Sequence, residues 1–248
     1  LGGKGEGMTL TPYPAGRLLG GAFWEVRRGA DRVVYLVDYN HRRERHLEPS
    51  ALKHLVRPSL LITDAYNAEQ PSWQPALAAQ LVDLVLHTVR GGGHVLVPVD
   101  VAGRNLEALL LLDEHWRAKR LAASYALCFV GPVALNTLEF CQSQMEWMAL
   151  DVAREFDRRQ ASPFELRHTH VLQSLQELDD LGESMPKVVF TTDKTLQYGF
   201  SKALLVKWAG DPKNRIILLE RSAPGTVAHA LEALRTPLKE GPRHRGEQ

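Results

Sequence analysis

Two apolar runs in this chain each stop on an aspartate, Tyr35-Leu-Val-Asp38 and Leu60-Leu-Ile-Thr-Asp64. Ahead of both lies a Pro- and Gly-bearing turn, Thr11-Pro-Tyr-Pro-Ala-Gly-Arg-Leu-Leu-Gly-Gly21. Carboxylates at strand ends are where folds place metal ligands or catalytic acids. In that chemistry Asp38 bridges two hydrolytic metals and Asp64 supplies another oxygen or orients a ligand. The competing reading is structural, because a buried ionised carboxylate needs a partner, and capping a backbone turn or pairing with an arginine provides one. The third polar group of the constellation is Arg17, which cannot ligate a metal because a guanidinium has no acceptor.

Other residues carry weaker signals. His41 and His46 lack the HxH or HxxxH regularity of a ligand pair and lie among Arg42, Arg43, Arg45 and Arg57, so surface roles are expected of them. The arginine cluster is either a phosphate-binding patch or a solvated loop. His168 and His170 alternate as two ligands on one strand face would, without an accompanying carboxylate or cysteine at a recognisable spacing. Val97-Pro-Val-Asp100-Val-Ala-Gly103-Arg104 reads as a strand, a glycine turn and a helix start, where a helix terminus and Arg104 suit a phosphate. The same turn is equally explained by Asp100 and Gly103 ordering the loop. It is neither a GxGxxG nor a Walker pattern, and no G-x-S-x-G nucleophile elbow is present. Thr226 is expected to cap or pack at the start of the last helix.

These residues must be positioned by elements that the patterning predicts. Residues 8–12 and 21–28 alternate as strands, and Val33–Val37 and Leu60–Thr63 are short apolar strands, with a helical turn at Glu48–Leu55 between them. Beyond Asn67, a polar stretch with two prolines, Glu69–Pro75, marks a domain boundary. Helix and strand then alternate: helix 76–90, strand 94–99, helix 103–116, strand 124–130, helix 133–156, strand 187–191, helix 200–209, strand 215–220 and helix 226–234. Such crossovers imply a parallel sheet flanked by helices. Residues 164–185 remain undecided between helix, loop and connector. Met145, Trp147 and Met148 are expected on a long helix, facing core or a companion domain.

Composition sets bounds. The 248 residues carry 30 Lys and Arg against 29 Asp and Glu, a net charge of +1, which neither argues for a broad nucleic-acid surface nor excludes a local one. No run approaches the apolar length needed to span a bilayer. Cys128 and Cys141 lack CxxC spacing and read as buried thiols in a strand and a helix. The chain opens on Leu1 with a glycine-rich start and ends in a polar tail, so a fragment of something longer is expected.

Several blocks, in order, resemble the metallo-β-lactamase/β-CASP group of nucleic-acid-processing proteins, and within it the non-catalytic members of the eukaryotic pre-mRNA 3′-end cleavage and polyadenylation machinery. They are Leu10-Thr-Pro-Tyr-Pro-Ala-Gly16, Gly20-Gly21, Val37-Asp-Tyr-Asn-His-Arg-Arg-Glu-Arg-His-Leu47, Arg57-Pro-Ser-Leu-Leu-Ile-Thr-Asp-Ala-Tyr-Asn-Ala68, Val99-Asp-Val-Ala-Gly-Arg104, Asp211-Pro-Lys-Asn214 and Pro224-Gly-Thr226. The resemblance implies an α/β fold: residues 1–71 form part of a metallo-β-lactamase αββα layer, 72–235 a β-CASP domain with a mostly parallel sheet flanked by helices, and 236–248 a polar tail. In the family's nucleases the Ala-Gly turn is followed by a zinc-binding histidine, and Arg17 stands there instead. Asp38 matches the bridging aspartate and Asp64 the acidic residue opening the next motif, while the HxHxDH motif and the later histidine motifs are expected outside this chain. Thr191–Gly199 departs from the family's glycine-rich loop.

In function, the resemblance implies a nuclear, non-catalytic scaffold or RNA-contacting subunit without a cofactor. Its site is degenerate at Arg17, Asp38 and Asp64, and its candidate RNA contacts are Arg42, Arg43, Arg45 and Arg104. Its expected partners are a homologous zinc endonuclease subunit and other cleavage and polyadenylation factor subunits. The alternative is an active zinc-dependent RNA endonuclease whose further ligands lie elsewhere.

Overall fold

Period-two alternation near the start of the chain builds a small sheet whose far end holds both strand-end aspartates. A computed structural model describes residues 5–65, 75–159 and 162–234. The domain boundary expected at 71/72 and the tail at 236–248 lie outside the described residues. Strands β1 (Met8–Pro14), β2 (Ala22–Arg28) and β3 (Asp31–Leu36) run antiparallel in sequence order, and β4 (Leu60–Thr63) adds parallel to β3. Because Leu36 pairs with Thr63 in that parallel register, Asp38 and Asp64 leave the sheet at one end.

One face of the sheet buries Phe23, Val34 and Leu36 beneath Tyr13, Tyr39, Leu52 and Leu55, with Tyr13 stacked on Phe23 at 5.2 Å. A short 3-10 turn, Leu52–His54, stands where a helical turn is expected. Trp24 and Tyr35, and all of Leu60, Leu61 and Ile62 on the edge strand, are exposed.

The second sheet is wholly parallel, in the order β7-β6-β8-β5-β9. Its strands are β5 (Val95–Pro98), β6 (Ala126–Val130), β7 (Thr169–Leu172), β8 (Lys187–Thr191) and β9 (Arg215–Ile216). Both faces are covered, so the central strands are continuous apolar runs. Val95, Val97, Leu127, Phe129, Val188 and Phe190 meet α1 (Pro75–Arg90), α2 (Arg104–Lys119) and α3 (Ala134–Ser143) on one side. Leu96, Cys128, Val130 and Val189 meet α5 (Leu175–Asp180), α6 (Gly199–Trp208) and α7 (Val227–Ala233) on the other, while α4 (Leu150–Arg159) packs at the first layer's rim. Both thiols are buried, Cys128 in β6 and Cys141 in α3, and burial pushes them up to about 12 and about 11.

Three expectations change. The helix expected over 133–156 is two helices, α3 and α4, separated by a 3-10 turn at Met145–Trp147. That break buries Met145 and Met148, leaves Trp147 64% exposed, and frees the Ala149 N–H to donate to the His46 carbonyl at 2.9 Å. The strand expected over 215–220 is laddered only at Arg215–Ile216, after which Ile217 donates to the Leu96 carbonyl and the chain turns to the cleft. The undecided stretch contains β7 and α5, with Ser174 accepting from the Glu177 N–H as a helix cap.

Candidate functional site

Gly16 makes the site possible. Its φ is +74°, and a Cβ there would stand 2.5 Å from the Ser50 nitrogen and 2.6 Å from the Asn40 carbonyl oxygen. Only glycine allows the turn to lie against that backbone, where the Asn40 N–H donates to the Ala15 carbonyl and the Ser50 N–H to the Asn40 carbonyl. The turn delivers Arg17 to an open cleft of about 340 Å³ between the two sheets, lined also by Asp38, Asp64, Asp100, Lys194 and Glu220.

Arg17 Nε donates to Asp38 Oδ1 at 2.6 Å, and its Nη2 donates to Glu220 Oε1 at 3.0 Å. The guanidinium therefore spans two carboxylates from the two domains. Asp38 itself has a φ of +50°, a conformation aspartate tolerates better than most residues, and its N–H donates to Asp64 Oδ2 at 2.7 Å. On the far wall Lys194 Nζ lies 2.5 Å from Asp100 Oδ2 and 3.9 Å from Glu220 Oε2, and Arg104 Nε lies 3.8 Å from Glu220 Oε1. Arg104, at the first turn of α2, thus faces a carboxylate. Thr226 caps α7, its hydroxyl accepting from the His229 N–H.

The arginine-rich loop is engaged with the second domain. Arg43 Nη2 lies 2.7 Å from Asp151 Oδ2, and Arg45 Nη1 lies 3.1 Å from Glu114 Oε2. Arg42 Nε donates to His41 Nε2 at 3.3 Å, and both side chains are exposed. His46 is the correction: a surface role is expected, yet its side chain is fully buried with Glu107, whose Oε1 meets His46 Nδ1. The Glu107 carboxylate also accepts the N–H groups of His46 and Arg45 at 2.9 Å each, and the His46 ring meets Phe164 edge-on at 5.7 Å. A carboxylate with three donors makes burial of the imidazole tolerable, and that loop becomes the clasp between domains. His168 precedes β7, its N–H donating to Asp113 Oδ1, and His170 is exposed on the strand.

Burial pushes the Glu107 carboxyl up, but the His46 hydrogen bond and charge, with the two backbone donors, outweigh it and hold the group below the usual range. Glu44, half-buried beside it, is pushed up to about 7 by burial and by the Glu107 charge, against the pull of Arg104, His46 and Arg17. Between pH 4.5 and 7 the unfolded chain releases the Glu44 proton while the folded chain keeps it, so this group lowers stability as pH rises and does so fully above pH 7. We expect Glu44→Gln to raise the melting temperature over wild type at pH 8 and not at pH 4. Equal differences at both pH values would contradict this.

The Arg17 cation sits on Asp38 Oδ1, and a guanidinium has no acceptor with which to join that carboxylate in holding a metal. Among the described residues no three His, Cys, Asp or Glu side chains converge as a metal cluster. The sequence-derived trio of Arg17, Asp38 and Asp64 does come together; the residues missed are Glu220, Lys194, Glu107, Asp151 and Glu114. Glu107 left a signal, an acidic residue inside the apolar run Leu106–Leu112. Glu220, 203 positions from Arg17, left none.

Family models agree with this two-part architecture: a Metallo-beta-lactamase superfamily domain matches residues 1–62, and a Beta-Casp domain matches 105–231, just over half of the chain. The chain is 37% identical over 239 residues to cleavage and polyadenylation specificity factor subunit 2 of Arabidopsis thaliana, covering 96% of this chain and 32% of the relative. It is 41% identical over 231 residues to the probable subunit 2 of Drosophila melanogaster, covering 92% and 30%. It is also 33% identical over 225 residues to endoribonuclease ysh1 of Schizosaccharomyces pombe, covering 90% and 29%. The chain thus spans about a third of the length of the curated relatives it matches.

Proposed function

Because the chain belongs to the Beta-Casp family of the metallo-β-lactamase superfamily, we propose that it serves as a non-catalytic scaffold within a nuclear cleavage and polyadenylation factor, beside a homologous zinc endonuclease subunit. The observation that carries this reading is the Arg17–Asp38 ion pair at 2.6 Å. Hydrolysis of the family's kind needs a water made acidic between two metals, and a guanidinium bonded to the bridging carboxylate takes the place of that chemistry. The names of the subunit 2 relatives support the assembly. Contact with pre-mRNA falls to Arg42, Arg43 and Arg45, which are exposed; Arg43 and Arg45 would exchange a carboxylate for phosphate, a contact that positions RNA without reading its sequence. Arg104, 13% exposed and turned to Glu220, belongs to the cleft instead.

The second reading is a metal-dependent RNA endonuclease, favoured by the likeness to ysh1 and by the retention of Asp38 and Asp64. Asp38→Ala in the intact protein separates the two. The scaffold reading expects RNA cleavage by the assembled factor to be unchanged while the variant subunit melts earlier, having lost the partner of Arg17. If cleavage and bound metal disappear together, the endonuclease reading stands and ours falls.

A further inference from the structure

Glu220 stands at the end of the segment that leaves the parallel sheet after Ile217, and its side chain is 18% exposed. Three cations surround it: Arg17 at 3.0 Å from the first sheet's turn, and Arg104 at 3.8 Å and Lys194 at 3.9 Å from its own domain. The order of charges across the cleft alternates, Asp38, Arg17, Glu220, Lys194, Asp100, with one end on each domain. Arg17 and Glu220 are both largely buried, so their attraction is weakly screened, unlike that of an exposed pair.

We infer that Glu220 is a positioning residue that converts the cleft into a latch: it holds the Arg17 guanidinium across the gap and thereby keeps the two domains closed over it. The latch differs from the arginine loop clasp, because Glu107, Asp151 and Glu114 grip residues 43–46, none of which lines the cleft, whereas Glu220 does. With the clasp alone the domains stay joined but are free to open at the cleft. A side chain that cannot ligate a metal thus supplies a cross-domain strut. The inference rests on reading Arg17 as a residue that holds carboxylates rather than one displaced by metal.

Native-state hydrogen exchange on the full chain within its intact protein tests it. Glu220→Gln keeps the shape and removes the charge. We expect the amides of residues 15–21 and 217–222 to exchange roughly tenfold faster, with amides of the central strands β5, β6 and β8 unchanged. Arg17→Met, which removes the Asp38 link as well, is expected to accelerate the same amides at least as much, and the double variant less than the sum of the two, since the Arg17–Glu220 contact is common to both. Lys194→Met, which removes the links to Asp100 and Glu220 and leaves Arg17 on Glu220, is expected to give a smaller acceleration, and it reports even if Glu220→Gln fails to accumulate. Unchanged exchange of residues 15–21 in Glu220→Gln or in Lys194→Met, or a double variant whose effect equals the sum of the two, would overturn the latch. Zinc content is read separately: bound zinc removes the scaffold reading and the latch together, whereas unchanged exchange without zinc removes the latch alone.

Discussion

His46→Ala destabilises the chain by about 3 kcal/mol or more, the magnitude expected from emptying a buried site and taking a side-chain donor from a buried carboxylate. The ring is wholly buried against Glu107 and Phe164, and it comes from the first layer while both neighbours come from the second domain. Truncation leaves a cavity and strips the Glu107 carboxylate of its side-chain donor, although the N–H groups of His46 and Arg45 still reach it. Glu107→Gln keeps an acceptor for those N–H groups and is expected to cost less than Glu107→Ala. Denaturant unfolding with a midpoint and slope for each variant checks the order. A loss below about 1 kcal/mol for His46→Ala, the size of an exposed ion pair, would mean that the pair does not join the domains.

Gly16→Ala is the second large effect. Alanine at a φ of +74° is strained, and its Cβ would meet three backbone atoms, Ser50 N, Asn40 O and Glu48 O, at 2.5, 2.6 and 2.9 Å. Backbone cannot swing aside as a side-chain end can, so strain and overpacking add to a loss of roughly 3 kcal/mol or more. The control is Gly29→Ala, at a φ of +57° with nothing within 4 Å of the added carbon, where the backbone penalty alone is about 1–2 kcal/mol. The two variants compared by thermal unfolding should differ by more than twofold in lost stability. Equal losses would show that the crowding around Gly16 is relieved by a backbone shift, and would separate Arg17 from the turn that aims it.

Local patterning reaches most of the elements because burial on both faces or on one face writes directly into residue order. The continuous runs of β5, β6 and β8 and the alternation of β1 and β2 are of that kind. The ends of elements are less legible where tertiary contacts decide them. The break between α3 and α4 comes from burying Met145 and Met148 and from the Ala149 bond to His46, neither of which has a local signature. The undecided stretch does hold a signal, since Ser174-Leu-Gln-Glu177 has capping-box spacing: the Ser174 hydroxyl accepts from the Glu177 N–H, and the Glu177 carboxylate accepts from that hydroxyl and from the Gln173 N–H.

The site divides in the same way. Asp38 and Asp64 are visible as strand ends, and the parallel register of β3 and β4 brings them together. The other wall of the cleft is assembled from Asp100, Lys194 and Glu220, far apart in sequence, and only the fold makes them neighbours. His46 misleads because its arginine neighbours suggest exposure, and two of them, Arg43 and Arg45, turn to carboxylates of the second domain.

The cleft centres on one position, where Arg17 holds the Asp38 carboxylate at 2.6 Å. Anomalous scattering at the zinc edge from crystals of the intact protein, grown with zinc present, addresses it most directly. We predict no anomalous peak at Asp38 and a guanidinium bonded to its carboxylate. Two peaks bridged by Asp38, with Arg17 displaced, would contradict that prediction.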